Sequence, residues 1–102
     1  MTKVKINGAE YEATIDGLMH DPDWDGRESK AITLSGEFAQ VNRMFSDGAV
    51  WSILDDQGEY DNSAFSLRGD LTVHTDGTCT VKMGKLTDLE DAYALLYGGN
   101  GK

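Results

Sequence analysis

Apolar and polar residues alternate with period two along most of this chain, and the alternation predicts two β-hairpins. Between Phe65 and Met83 the apolar side chains fall at Phe65, Leu67, Leu71, Val73, Cys79, Val81 and Met83, all odd positions. Strands put successive side chains on opposite faces, so this stretch reads as two half-buried strands around a Thr75-Asp76-Gly77-Thr78 turn. A two-residue Asp-Gly loop would set Val73 against Thr80 and mix the faces. A three-residue loop, Thr75-Asp76-Gly77 with Gly77 left-handed, sets Val73 against Cys79 and Leu71 against Val81. It also puts Asp70 opposite Lys82 and Thr72 opposite Thr80 on the solvated face. Gly69, on the inward parity, marks a bend.

The start of the chain gives the other loop length. Around Asn7-Gly8 a two-residue type I′ loop pairs Val4 with Tyr11 and Ile6 with Ala9 inward, and Lys5 with Glu10 and Lys3 with Glu12 outward. Alternation continues through Ala13 and Ile15 and breaks at Gly17, a bend or bulge. His20 to Glu28 reads as a polar connection. A strand from Ser29 to Leu34 follows, with Ile32 and Leu34 assigned inward and Lys30 and Thr33 outward.

Elsewhere the period changes. Phe38, Val41, Met44 and Phe45 form one face of a short helix with Ser35 as cap and Gly48 as stop, a strand over 37–45 being the alternative. Ala49 to Leu54 reads as a central strand, with Trp51 in the core. Asp55 to Asn62, DDQGEYDN, reads as a second acidic loop. At the end, Thr87-Asp88-Leu89-Glu90 is a capping box, Leu89, Ala92, Tyr93 and Leu96 make a helical stripe, and Gly98-Gly99 terminates it. The expected fold is α+β: an antiparallel sheet of about five to six strands, with a short inserted helix and a C-terminal helix packed on one face. Residues 1–99 form one domain, and 100–102 are a frayed tail.

Charge narrows the function classes. With 18 acidic against 9 basic residues in 102, the net charge is −9. That charge repels nucleic acid and anionic membrane and suits solubility or a partner with a basic groove. The basic residues are scattered, so no basic stripe forms. A single cysteine excludes an internal disulfide, and Cys79 lies on the apolar parity. No long apolar run suggests a membrane span or secretory signal, which makes the cytoplasm the expected compartment.

One local motif has metal-ligand spacing. Asp21-Pro22-Asp23-Trp24-Asp25-Gly26 matches the first half of a calcium loop, where alternate carboxylates converge on a hard cation. The twelfth position, which should carry a bidentate glutamate, is Ile32. The competing reading is a solvated acidic turn shaped by Pro22 and Gly26. Nothing else points to catalysis. There is no nucleophile elbow, phosphate loop, dinucleotide fingerprint or Cys/His zinc spacing, and parity puts His74 and Cys79 on opposite faces. The expectation is a chain that is not an enzyme.

Acidic loops can also imitate the phosphates of a duplex and fill a basic groove. The first such patch is Asp16, Asp21, Asp23, Asp25 and Glu28, and the second is Asp55, Asp56, Glu59 and Asp61. Trp24 and Tyr60 would be the aromatic anchors, unless each folds back onto the sheet as a plug.

The runs WDGRESKAITL, AVWSIL, EYDNSAFSLRGDL, HTDGTCTVKMGK and LEDAYALLYGG resemble small proteins carried by prophages of Gram-positive bacteria, a likeness that extends over nearly the whole chain. The resemblance implies a phage-encoded, non-enzymatic role in a bacterial host cell. One such role is an anti-CRISPR-like inhibitor that binds a Cas nuclease and blocks its DNA groove. The alternatives are a virion or tail-assembly component and a calcium-binding interaction domain.

Overall fold

The structure, a computed structural model, describes residues 1–87. The C-terminal helix expected from the Leu89–Leu96 stripe lies outside the described residues. Seven strands form one antiparallel sheet: β1 (Lys3–Ile6), β2 (Ala9–Asp21), β3 (Arg27–Ser35), β4 (Trp51–Asp55), β5 (Gly58–Asp61), β6 (Leu67–Val73) and β7 (Thr78–Gly84). Their order across the sheet is β5-β4-β1-β2-β3-β7-β6. A two-turn helix, α1 (Phe38–Met44), joins β3 to β4. The antiparallel α+β class holds, but the sheet has one or two more strands than the pattern suggested.

Both hairpin registers follow the parity argument. Val4 pairs with Tyr11 and Ile6 with Ala9 across Asn7-Gly8, both of which have positive φ. Val73 pairs with Cys79 and Leu71 with Val81, and Gly77 takes φ +89° in the three-residue loop. The side chains of Val4, Ile6, Ile32, Leu34, Cys79, Val81 and Met83 meet on one face. Val41, Met44, Phe45 and Phe65 cover that face together with Trp51 from β4. The Trp51 indole donates to the Phe65 carbonyl at 3.1 Å and meets the Phe45 ring edge-on at 5.5 Å. Burial of this apolar row is the main force holding the sheet to its cover.

Several local expectations need correction. Strand β2 does not end at Gly17. It runs thirteen residues to Asp21, because β3 pairs with its second half after β1 has finished pairing with its first. Its irregularity lies between Leu18 and Asp21. The segment Asp55–Asn62 is mostly strand rather than loop: β4 and β5 form a hairpin in which Asp55 faces Gly58, and the Asp55 carboxylate receives the Gln57 and Gly58 amides. Strand β4 is therefore second from an edge, with β1 on its other side. The helix cap is Glu37 rather than Ser35, without a side-chain capping bond, and Phe38 is half exposed.

Lys30 shares the face of Ile32, as any residue two positions away in a strand must. Its ammonium reaches the Asn62 side chain at 2.5 Å and lies 4.6 Å from the Phe65 ring centre. Burial pulls the Lys30 pKa down from its ordinary value. In β6 the register shifts between Arg68 and Leu71, so that Gly69 and Asp70 together oppose Lys82. This two-against-one bulge puts Arg68 opposite Met83 and Leu67 opposite Gly84.

Candidate functional site

The acidic motif between β2 and β3 is built by turn chemistry. Asp21 caps a single 3-10 turn, Pro22–Trp24, by accepting the Asp23 amide at 2.9 Å. Pro22 occupies the first helical position, where its missing N–H costs nothing. Asp25 and Gly26 both adopt positive φ, 57° and 79°, and the Gly26 amide returns to the Asp21 carbonyl at 2.8 Å. Asx capping, an N1 proline and a left-handed pair generate the same D-x-D-x-D-G spelling as a calcium loop without any cation.

Asp21 itself is fully buried. Its second carboxylate oxygen receives the Ser29 hydroxyl at 2.9 Å and the Lys82 ammonium at 2.7 Å. The hydrogen bond from Lys82 is the largest influence holding the Asp21 carboxyl below its ordinary value, against a desolvation cost that pushes the other way. Asp21 therefore serves neither as a partner-binding residue nor as an available metal ligand. Asp23 and Asp25 are exposed and do not join it. Among the described residues, no group of three or more His, Cys, Asp or Glu side chains could hold a metal ion.

Trp24 is half-buried as a plug. An ideal Cβ on Gly84 would stand 2.7 Å from its ring, and one on Gly69 would stand 2.9 Å away. Those two glycines let the indole lie against the β6–β7 ladder, and the Arg27 guanidinium stacks 5.2 Å from the ring centre. Arg27 also donates to the Lys85 carbonyl at 2.9 Å. A polar cleft of about 300 Å³ opens beside the indole, lined by Asp23, Trp24, Arg68, Gly69, Asp70 and Lys82. Glu28 is half-buried, its carboxylate 3.9 Å from the Lys85 ammonium.

The second acidic patch is a strand edge. Asp55, Asp56, Glu59, Tyr60 and Asp61 are all exposed on the β4–β5 hairpin. Glu59 stands 3.9 Å from Lys5, and Asp56 stands 3.5 Å from the N-terminal amine. Asp61 accepts the Ser63 hydroxyl at 2.6 Å, which lowers its pKa. Tyr60 pairs with Ile53, and about half of its surface is open to solvent.

The two patches do not converge. Thr2, just before β1, bonds β2 at Ala13; Asp16 of the first patch lies three residues further along β2, whereas the turn that carries the rest of that patch begins at Asp21. Eight strand residues separate Ala13 from Asp21, roughly 26 Å at ~3.3 Å per residue.

Sequence reasoning set Thr72 opposite Thr80 on the solvated face and Thr33 outward, but missed that they join in one row. Thr14 pairs with Thr33, Thr33 with Thr80, and Thr80 with Thr72, so one threonine from each of four adjacent strands stands in a single row. The Thr33 and Thr80 hydroxyls are 2.8 Å apart, and His74 Nε2 is 2.7 Å from the Thr80 hydroxyl. The even parity of Thr14, Thr72 and Thr80 was visible in the sequence. The pairing of β3 with both β2 and β7, which makes the row, was not.

No known family, curated protein or solved structure matches the chain.

Proposed function

We propose that this chain is a non-enzymatic binding protein whose acidic surface occupies the basic, nucleic-acid-handling groove of a protein partner, in the manner of an inhibitor of a phage-defence nuclease. One observation carries the reading: the two signs of charge are placed differently. Lys82 is tied to buried Asp21, and Lys30 to Asn62 and Phe65. Arg68 donates to Asn42 and to the Phe45 carbonyl, and Arg27 stacks on Trp24. Carboxylates at Glu12, Asp16, Asp23, Asp25, Asp55, Asp56, Asp61 and Asp70 are exposed. Lys5, Arg43 and Lys85 remain at the surface, but with four cations engaged inside the fold the exposed carboxylates of this chain of net charge −9 outnumber its exposed cations. Such a surface accelerates encounter with a basic groove and disfavours nucleic acid itself.

The test is capture of a purified, guide-loaded Cas nuclease by the chain, followed by a cleavage assay across several effector types. The expected result is a complex that weakens as salt rises, with reduced cleavage. Undiminished cleavage and no complex with any effector sinks the inhibitor reading.

A virion or tail-assembly role is the second reading, and a particular edge favours it. Among the described residues no strand pairs with β2 beyond Ala13 on its β1 side. Leu18 and Met19 on that stretch are 47% and 68% exposed. Open edges of this kind accept further strands. Concentration-dependent self-association in sedimentation would favour this reading over the first.

A further inference from the structure

The open face of the β2–β3–β7–β6 half of the sheet combines a centre of short side chains with two exposed carboxylates. Its centre is the threonine row, Thr14, Thr33, Thr80 and Thr72. Ala31 continues the flat surface between Asp16 and Lys82. Threonine is stiff at χ1 and alanine has no rotamers to lose, so such a surface is ordered before contact and loses little entropy on docking. The Trp24 plug closes the far end over Gly69 and Gly84.

Exposed carboxylates, Asp16 on β2 and Asp70 on β6, stand at the two ends of the next row along one side of the threonines. Lys82, which lies between them in register, is turned to Asp21 at 2.7 Å and so does not neutralise either. The parity expectation had paired Lys82 with Asp70. At the bulge Gly69 and Asp70 share the place opposite Lys82, while the Lys82 ammonium bonds buried Asp21.

We infer that this face is the seat on which a basic protein partner docks. The threonine row forms its dry centre, and Asp16 and Asp70 receive lysines or arginines of a flat partner surface. This rests on the acidic-binder reading, keeps Asp16 of the first patch, and moves the rest of the contact onto the threonine-bearing face of the sheet.

The experiment is a titration of the isotope-labelled full chain with an octa-arginine peptide at low ionic strength, read residue by residue by amide chemical shifts. Shifts should concentrate at Thr14, Asp16, Ala31, Thr33, Thr72 and Thr80. Thr33→Lys, which sets bulk and a like charge in the centre, should weaken binding about tenfold. Because Thr33→Lys perturbs a strand, the milder pair Asp16→Asn and Asp70→Asn supplies a second readout: a shallower salt dependence with the spectrum otherwise unchanged. Shifts confined to Asp23, Asp25 and Asp55–Asp61, with Thr33→Lys binding as well as the parent, overturn the docking face while the acidic-binder reading stands. No saturable binding at any salt concentration removes the acidic-binder reading and the docking face with it.

Discussion

Lys82 in the last strand donates to Asp21 at the end of the second, 2.7 Å from nitrogen to oxygen, with the aspartate wholly buried and the lysine side chain 21% exposed. Sixty-one positions separate the pair, and β3 lies between the strands that carry them. The contact ties the acidic turn down onto the sheet. It also explains why Trp24 comes to rest on β6 and β7.

The pair makes stability depend on pH in one direction. Asp21 has a folded pKa below its ordinary value, so near that value the unfolded chain binds more protons and stability rises with pH. The contribution is complete above about pH 4–5 and is lost as the pH falls through the folded pKa. Asp61 and Asp76, held down by the hydroxyls of Ser63 and Thr78, add to the same acid limb. Asp21→Asn should therefore flatten, without abolishing, the loss of melting temperature between pH 5 and pH 2. An unchanged acid limb in that variant would show that Asp21 titrates alike in both states.

Removing the cation should be worse than removing both charges. Lys82→Met leaves Asp21 buried without its counter-ion, whereas Asp21→Asn with Lys82→Met leaves only neutral groups. Urea unfolding at pH 7 should rank the double variant as more stable than Lys82→Met alone. The reverse order would mean that the carboxylate finds another partner or water.

The glycines under the indole give a second coupling. A methyl group at Gly84 would meet the Trp24 ring at 2.7 Å and the Arg27 side chain at 2.6 Å. Gly84→Ala should cost about 1–3 kcal/mol through overpacking. Much of that loss should vanish in a Trp24→Ala background, where the ring is gone. Additive effects of the two substitutions would mean that the indole does not press on this strand.

The hairpins were legible because period two leaves little freedom: a one-residue slip turns Val73 or Tyr11 to the wrong face. Helix α1 was legible from Val41, Met44 and Phe45, although Phe38, on the same stripe, is half exposed. Strand β5 was hidden because Glu59, Tyr60 and Asp61 carry no alternating apolar signal on an exposed edge. The site was harder still. Asp21 spells like a ligand, and only Ser29 and Lys82 (8 and 61 positions away) reveal it as a buried cap. Local spelling fixed the shape of the turn and could not report the tertiary partners that give it its role.

The calcium-like spelling can be tested directly. With Asp21 held by Lys82 and Ser29, calcium should leave the melting midpoint equal to that in chelator. A site filled at a hundredfold excess over its dissociation constant would add about 2.7 kcal/mol. A rise of that size, lost in Asp23→Asn, would show that the turn rearranges to bind the ion.

The core prediction concerns Trp51. Its ring is 1% exposed, packs edge-on against Phe45 and donates its indole N–H to the Phe65 carbonyl. Trp51→Ala should cost about 3–5 kcal/mol, a large share of the ~5–15 kcal/mol available to a domain of this size. Trp51→Phe keeps much of the packing but leaves the Phe65 carbonyl without its donor, so its cost should be smaller, about 1–3 kcal/mol. Chemical denaturation followed by far-ultraviolet circular dichroism separates the two, since it does not depend on the indole removed. Equal losses in both variants would mean that the hydrogen bond, rather than the volume of the ring, secures β4 against its cover.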